Sequence, residues 1–333
     1  MSGPAELEAG LTRAIERRFG PTTVKGLTRL SGGATQETWS FDGEGGLSGG
    51  FILRRAPMRK QTMHAISIDT EADVLTAVAA SGARVPAVRF VLAPEDDLAT
   101  GFVMDRIAGE ALAPRILRDP MFEVARQRMA GQCGAILAQI HATPAERMPA
   151  LPTHTTEETL NGYAEALAAL PQARPVYQIA LRWLRDRLPT GITPRLVHGD
   201  FRIGNLLVDA EGVTSVLDWE LACLADPAID LAWMCVPSWR FGFIDLPVGG
   251  FGKIEDLLSA YEAAGGDKGV RERLHYFIVL GTLRWGVMCT GSLVAMNAGT
   301  DRSVERAMIA RRCSETELDL LRLLDSDWTT HAG

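Results

Sequence analysis

Residues 196–230 read LVHGDFRIGNLLVDAEGVTSVLDWELACLADPAID, and the order of strand, loop and turn signals in this stretch indicates how the chain folds. The apolar pair at its start predicts a short buried strand, and the polar loop behind that strand ends at Asn205. Residues 206–208 and 213–217 are two β-prone runs, and the short turn between them closes with a glycine. The two runs therefore predict a β-hairpin that directly follows the loop.

This hairpin should bring three oxygen-bearing side chains together. In an antiparallel pair the start of one strand lies beside the end of the other, so Asn205 and Asp218 should meet, with Asp200 on the loop that leads in. Such oxygens suit Mg2+, which keeps several waters and is usually shared with substrate phosphates. Each residue alone is common in turns. Their joint occurrence with Asp226 and Asp230 carries the prediction of a phosphate-handling site.

The same residues resemble the catalytic core of the protein-kinase-like fold, where a loop Asp accepts the hydroxyl proton while an Asn and a later Asp hold metal ions. HGDFRIGN, LDWE and DPAIDLAW are similar to the aminoglycoside phosphotransferase superfamily of small-molecule kinases, especially the branch related to kinase-like domains fused to acyl-CoA dehydrogenases. This resemblance implies an α+β fold of two lobes. Residues 1–107 would form the nucleotide-binding lobe, with a five-stranded antiparallel sheet plus a helix. Residues 108–333 would form a mainly helical lobe for catalysis and acceptor binding.

The resemblance also implies the cofactors ATP and Mg2+ and a small-molecule hydroxyl acceptor. Asp200 is then the expected base, and Asn205 and Asp218 are the expected Mg2+ ligands. His198 should brace the loop from beneath, as a core histidine without a chemical role would also do. Asp230 should either cap the helix that it opens or bind backbone N–H groups of the loop.

The spacing after the hairpin limits the kind of acceptor. Seven residues separate Asp218 from Asp226, which leaves no room for a peptide-binding activation segment. The acceptor should therefore be a small molecule, bound by the helices after Trp233. Arg202 either touches the transferring phosphate or faces solvent, and the sequence leaves both open.

Hydrophobic periodicity predicts the elements of the first lobe. Two amphipathic helices are expected, and the second begins at Asp69 or Thr70 as its N-cap. A glycine-rich turn over 42–50 should separate the second strand from the third. The predicted helices are 6–19 and 69–80, and the predicted strands are 24–30, 35–41, 51–55, 85–92 and 101–107.

Two parts of this lobe are candidates for ATP phosphates. Gly32 and Gly33 could let backbone N–H groups approach an anion closely, although a Gly-Gly turn is common without any ligand. Strand alternation puts Arg54 on the same face as Ile52, which makes it the phosphate-facing cation. The superfamily usually has Lys there, and the branch related to acyl-CoA dehydrogenase fusions has Arg. Guanidinium and ammonium differ in shape, so the substitution leaves the local geometry open.

Further nucleotide contacts follow from the resemblance. Glu71 is the helix glutamate that would pair with the strand cation, while an acid is also favoured in the first turn of any helix. The segment from Asp105 to Ile107 would be the hinge between the lobes. Its backbone groups would hold adenine.

The second lobe is predicted to be mainly helical. Residues 277–296 are apolar but carry Arg284 near their middle, so a buried helix is favoured over a membrane span. The predicted helices are 122–141, 155–170, 175–188, 253–264, 271–296 and 302–324.

Composition narrows the class of protein. The chain has 333 residues and a net charge of -7, so it has no general attraction to nucleic acid or to anionic membranes. The five cysteines are widely spaced and should be reduced, mostly buried thiols. The first ten residues lack the basic and apolar regions of a secretory signal, which favours the cytoplasm. The oligomeric state stays open.

Several acceptors remain open. An aminoglycoside kinase needs an acidic pocket, yet residues 237–333 hold 13 acidic against 11 basic residues. Choline-type and sugar acceptors are also possible, and so is a non-catalytic nucleotide-binding module, although the intact metal and base residues disfavour the module. Resemblance to the branch related to acyl-CoA dehydrogenase fusions favours hydroxyacyl thioesters or hydroxy acids. Such anionic acceptors need cations, for which Arg240 and Arg284 are candidates.

Overall fold

The computed structural model describes residues 3–30, 36–56, 65–170 and 172–325. In the first lobe, five strands form one antiparallel sheet in the order β1-β2-β3-β5-β4, as the sequence predicts. Two helices accompany this sheet, α1 over Pro4–Phe19 and α2 over Ile68–Ala80. The strands are β1 Thr22–Arg29, β2 Glu37–Gly45, β3 Gly49–Arg55, β4 Val88–Val91 and β5 Gly101–Asp105.

Strand β3 shows how the sheet divides its side chains between two cores. Phe51 and Leu53 are buried in the cluster that includes the apolar stripe of α1. Ile52, between them, belongs to the other cluster, which contains α2 and the core of the second lobe. Alternation along the strand then directs Arg54 to the side of Ile52, and both residues line the cavity between the lobes, as predicted.

Several predicted boundaries in this lobe are wrong, and the predicted strands 85–92 and 101–107 are shortened to β4 and β5. Strand β2 continues through Gly45, because residues beyond Phe41 still pair with both β1 and β3. The turn shortens as a result, and a Cβ at Gly46 would lie 2.0 Å from the carbonyl oxygen of Phe19. Helix α2 is capped by Ser67, whose Oγ accepts a hydrogen bond of 3.1 Å from the N–H of Thr70.

The second lobe is helical, with two small β-pairs. Strand β6 over Arg195–Val197 pairs with β9 over Cys223–Ala225, and the predicted hairpin forms from β7 over Leu206–Asp209 and β8 over Gly212–Val216. The helices are α3 Ala113–Arg118, α4 Glu123–His141, α5 Thr156–Ala168, α6 Pro175–Arg185, α7 Ala228–Cys235, α8 Ile254–Ala263, α9 Val270–Asn297, α10 Val304–Ala310 and α11 Cys313–Leu324.

Helix α9 is the centre of this lobe and contacts α6, α7, α10 and α11. In the described part of the chain it is the one helix long and apolar enough to cross a bilayer, and 67% of its most apolar window is buried inside the protein. The predicted helix 302–324 is divided into α10 and α11. At the junction, Arg312 pairs with Glu315 and donates to the carbonyl of Ser238. All five cysteines are free and buried, as predicted.

Candidate active site

His198 joins the loop after β6 to the end of the hairpin. Its side chain is fully buried. The Nδ1 atom accepts a hydrogen bond from the Asp200 N–H at 3.1 Å, and Nε2 lies 2.9 Å from the carbonyl oxygen of Leu217. Since an N–H only donates and a carbonyl only accepts, the proton of the neutral ring is on Nε2. The geometry agrees with the predicted bracing of the loop.

Asp230 holds the backbone of the same loop. Its Oδ2 accepts from the N–H of His198 at 2.7 Å, and its Oδ1 accepts from the N–H of Gly199 at 2.9 Å. Burial alone would raise the pKa of Asp230, but the hydrogen bond and charge of His141 and the backbone N–H of His198 hold it below its ordinary value. Of the two predicted roles, loop binding is confirmed. The capping role is wrong, because Asp230 lies inside α7 and the N-cap is Pro227.

Gly199 is required where the loop turns. Its φ is +79°, and a Cβ there would lie 2.3 Å from the carbonyl oxygen of Leu221. The Gly199 carbonyl accepts a hydrogen bond of 2.8 Å from Arg284 Nη1. The backbone next to Asp200 is therefore fixed on both its N–H and its C=O side.

The carboxylate of Asp200 is held by donors on each oxygen. Trp233 Nε1 donates to Oδ1 at 2.7 Å, and Asn205 Nδ2 donates to Oδ2 at 2.7 Å. Arg202 Nε lies 3.3 Å from both oxygens. The sequence did not predict the Trp233 bond, and its only signal was the place of this tryptophan in the DPAIDLAW run.

Asn205 and Asp218 meet at the end of the hairpin, as predicted. The N–H of Leu217 donates to the Asn205 carbonyl at 2.8 Å, which brings the two strand ends together. The side-chain NH2 group of Asn205 donates to Asp200. The amide oxygen of Asn205 has no hydrogen-bond partner among the described residues. Asp218 has φ of 66°, a strained value for a residue with a side chain. Both residues line the cavity, and their oxygens are of the type that Mg2+ prefers.

Arg54 is the cation nearest to Asp218. Its Nη2 lies 2.7 Å from Asp218 Oδ1 and 3.8 Å from Glu220 Oε2, and its Nε lies 3.2 Å from Glu71 Oε1. The predicted pair of Arg54 and Glu71 therefore forms. The sharing of one guanidinium among three carboxylates was not predicted, nor was the hydrogen bond from Arg54 Nε to Gln36.

Glu71 should make stability depend on pH. Burial, opposed by Arg54 and reinforced by Asp218 and Glu220, raises its pKa to about 7 from an ordinary value of 4.5. Between these values the folded state binds the proton more tightly than the unfolded state, so rising pH should remove stability. Relative to Glu71→Gln, the wild-type free energy of unfolding should fall by on the order of 1 kcal/mol for each pH unit from about 5 to 7.

Urea denaturation at pH 5, 6, 7 and 8 measures this difference. Glu44→Gln is the control, because Glu44 is an exposed acid paired with Lys25 on the surface of the sheet. The difference in free energy of unfolding between Glu44→Gln and the wild type should not change with pH over the same range. A flat difference for Glu71→Gln as well would contradict the raised pKa.

A cavity of about 650 Å3 lies between the sheet and the hairpin. Its walls are largely apolar, and Asp105 and Ile107 of the predicted hinge line it together with Glu71. Among the described residues, no hydrogen bond uses the backbone N–H of Ile107, whereas those of Asp105 and Arg106 donate to Ala87 and Gly50. The predicted phosphate turn with Gly32 and Gly33 lies outside the described residues.

The three arginines near the loop have different surroundings. Arg202 has 31% of its side chain exposed, and its Cζ lies 5.3 Å from the ring centre of Trp239. Arg284 is tied to the loop carbonyl described above. Arg240 is buried and donates to the carbonyls of Cys235 and Ile244 at 3.0 and 3.2 Å. The expectation that Arg240 offers its charge to an acceptor is therefore wrong.

Known proteins share this architecture. A model of the phosphotransferase enzyme family matches residues 26–274. Acyl-CoA dehydrogenase family member 11 from Gallus gallus is 25% identical over an alignment of 338 positions, which covers 93% of this chain and 42% of that protein. The chain spans less than half the length of the curated relatives it matches.

Solved structures agree on the fold. A candidate aminoglycoside phosphotransferase from Ralstonia eutropha JMP134 superposes with a TM-score of 0.72 at 18% identity, covering 95% of this chain and 96% of that chain. A thermostable variant of aminoglycoside phosphotransferase APH(4)-Ia, in complex with AMP-PNP and hygromycin B, superposes with a TM-score of 0.60 at 20% identity, covering 93% and 98%. At these identities the likeness shows a shared fold, the two-lobed α+β fold that the sequence predicts.

Proposed function

Because this chain belongs to the phosphotransferase enzyme family, we propose that it transfers the γ-phosphoryl group of Mg-ATP to a hydroxyl group of a small molecule. One observation carries the proposal. Asn205 and Asp218 stand on the wall of the cavity between the lobes, and the carboxylate of Asp200 is hydrogen-bonded to Asn205. Phosphoryl transfer depends mainly on positioning and on neutralising charge, which is what such a cluster provides.

The nucleotide would lie in the cavity. The apolar walls suit a nucleobase, and the N–H of Ile107 is a donor for adenine. Asn205 Oδ1 and the Asp218 carboxylate would hold Mg2+, which offsets the negative charge of the phosphates. Arg54 would face those phosphates while Glu71 keeps it in place. We also propose that the boundary between the two lobes lies directly after Ile107.

Asp200 would act on the acceptor. Its carboxylate can orient the attacking hydroxyl and take the proton late in the transfer. The hydrogen bonds from Trp233 and Asn205 keep the carboxylate fixed before the acceptor arrives. Such preorganisation lowers the cost of reaching a productive geometry.

The acceptor that we propose is a hydroxyacyl thioester or a hydroxy acid. Two observations support an anionic acceptor over a polycation such as an aminoglycoside. The first is Arg202, whose partly exposed side chain places a cation 3.3 Å from the Asp200 carboxylate. The similarity to an acyl-CoA dehydrogenase family member over most of this chain points the same way. We also propose that the protein acts in the cytoplasm.

Release of ADP from Mg-ATP tests the acceptor. Hydroxyacyl-CoA or free hydroxy acids should stimulate it, while aminoglycosides and choline should not. Arg202→Ala should lower kcat/KM for the anionic acceptor by about 10- to 100-fold, since a hydrogen bond to a charged group contributes about 1.5–3 kcal/mol. Arg187→Ala is the matched control, because the Cζ atom of Arg187 also lies over a tryptophan, 4.7 Å from the ring centre of Trp183, whereas among the described residues it forms no ion pair with Asp200 as Arg202 does.

Two outcomes would count against this acceptor. If only aminoglycosides or choline stimulate ADP release, the proposed acceptor is wrong, but the proposed phosphoryl transfer is still supported. Binding of Mg-ATP without ADP release in the presence of any acceptor class would favour a non-catalytic nucleotide-binding module.

A further inference from the structure

Trp233 makes a contact that packing alone does not require. Its side chain is almost fully buried. The indole N–H nevertheless donates to Asp200 Oδ1 at 2.7 Å, and Asp200 is the residue proposed above to act on the acceptor. The ring of Trp239 lies edge-on to that of Trp233, with ring centres 5.3 Å apart, and the ring of Trp285 is tilted against Trp239, with ring centres 4.9 Å apart. The N–H groups of those two have no hydrogen-bond partner among the described residues. In this cluster the N–H of Trp233 is the one committed to the carboxylate.

The tryptophan ring is itself fixed by the loop that it serves. The Cζ atom of Arg284 lies 4.5 Å from the ring centre of Trp233, and its Nη1 donates to the carbonyl of Gly199 at 2.8 Å. A guanidinium over an indole face is an attractive arrangement. Arg284 thus links the ring of Trp233 to the backbone one residue before Asp200.

Helix α7 holds two different parts of the same loop. Asp230 and Trp233 are three residues apart, so they share one face of the helix. Asp230 accepts from the N–H groups of His198 and Gly199, while Trp233 donates to the side chain of Asp200. One helical turn therefore fixes both the backbone of the loop and the carboxylate that the loop presents.

We propose that Trp233 is a positioning residue for phosphoryl transfer, and that its indole N–H fixes the rotation of the Asp200 carboxylate toward the acceptor hydroxyl. With Trp233 on Oδ1 and Asn205 on Oδ2, the plane of the carboxylate is set. A carboxylate has about four acceptor positions. Trp233, Asn205 and Arg202 supply three donors to it, so about one position is left for the hydroxyl of the acceptor. The inference rests on the proposed function and adds to it the group that orients the base.

The first test separates the N–H from the ring. Replacement of Trp233 by 3-benzothienyl-alanine keeps the size and shape of the side chain and removes only the donor. It should lower kcat by about 10- to 100-fold, as expected for a lost hydrogen bond to a charged group. The acceptor KM and the Mg-ATP Kd should change by less than about threefold, because the residue touches neither ligand. Replacement by 5-fluorotryptophan, which retains the N–H, should restore wild-type kcat.

Trp285→Phe is the matched control. It removes an indole from the same cluster whose N–H has no partner among the described residues, so kcat should stay within about twofold of the wild type. An unchanged kcat in the benzothienyl variant would overturn the inference and leave Trp233 as a packing residue. An equal loss in Trp285→Phe would overturn it as well.

A second measurement does not depend on turnover. In the 15N–1H spectrum, the indole resonance of Trp233 should move on Asp200→Ala, while the indole resonance of Trp183, stacked on Tyr276 in another part of the lobe, should not. If the wild type fails to turn over but the resonance moves, the proposed function fails and the contact stands. If the wild type turns over and the resonance stays in place, the positioning inference alone is overturned.

Discussion

Asp200→Ala should lower kcat by about 10²- to 10⁴-fold, the range that a positioned general base contributes. The affinity for Mg-ATP should stay within about threefold, because Asp200 does not line the nucleotide cavity. Ala is a better test than Asn. The two carboxylate oxygens of Asp200 accept hydrogen bonds from Trp233 and Asn205. In Asp200→Asn, the NH2 group would face one of these two donors, so the variant would add a donor–donor clash to the loss of the base.

Single-turnover measurements of phosphoryl transfer, with Mg-ATP binding followed separately, check this expectation. Asp245→Ala replaces an exposed aspartate of the same lobe and should leave both quantities unchanged. Retention of wild-type kcat by Asp200→Ala would remove Asp200 as the base. Equal losses of kcat and nucleotide affinity would give it a binding role instead.

Asp218→Ala should abolish the Mg2+-dependent part of ATP binding. Loss of a partner that only supports a metal ligand typically costs 10- to 100-fold in affinity, so loss of a ligand itself should weaken Mg-ATP binding by at least about 100-fold. The variant also releases Arg54 from its 2.7 Å ion pair. The freed Arg54 can then support binding of metal-free ATP. The quantity to compare is therefore the ATP affinity of each protein with Mg2+ relative to its affinity without Mg2+.

Asp209→Ala is the matched control for Asp218→Ala. Asp209 lies at the opposite end of the same hairpin, where its Oδ1 accepts from the N–H groups of Glu211 and Gly212. Its loss should affect the turn but not the Mg2+ dependence of ATP binding, measured by titration calorimetry. The same Mg2+ dependence in wild type and Asp218→Ala would show that this carboxylate is not a metal ligand.

Features set by local geometry were predictable from the sequence. The meeting of Asn205 with Asp218 follows from antiparallel pairing across a short turn, and the direction of Arg54 follows from alternation along β3. The role of Asp230 could be narrowed to two choices, because an acid near the start of a helix has few donors within reach. Each of these predictions depends on residues of one element or of two neighbouring elements.

The features that were missed depend on how distant elements pack or on close competition between neighbours. Arg54 and Asp218 are 164 residues apart, and Asp200 and Trp233 are 33 residues apart, so no periodic pattern joins them. The cap of α2 was misplaced because Ser67, Asp69 and Thr70 are all favoured N-cap residues.

The prediction for Arg240 was wrong for a different reason. Over a separation of only five residues, the chain folds Arg240 back onto the carbonyl of Cys235. A solvent-facing arginine and one that serves backbone carbonyls carry the same sequence signal.

The Mg2+-dependent thermal shift of the wild-type protein with ATP tests the nucleotide site on which the phosphotransferase proposal depends. A ligand present at 100 times its Kd stabilises a fold by about 2.7 kcal/mol. ATP with Mg2+ should therefore raise the melting temperature clearly, and chelation of the metal by EDTA should remove most of the rise. The absence of a Mg2+-dependent shift with both ATP and GTP would contradict a nucleotide-dependent phosphotransferase at this site.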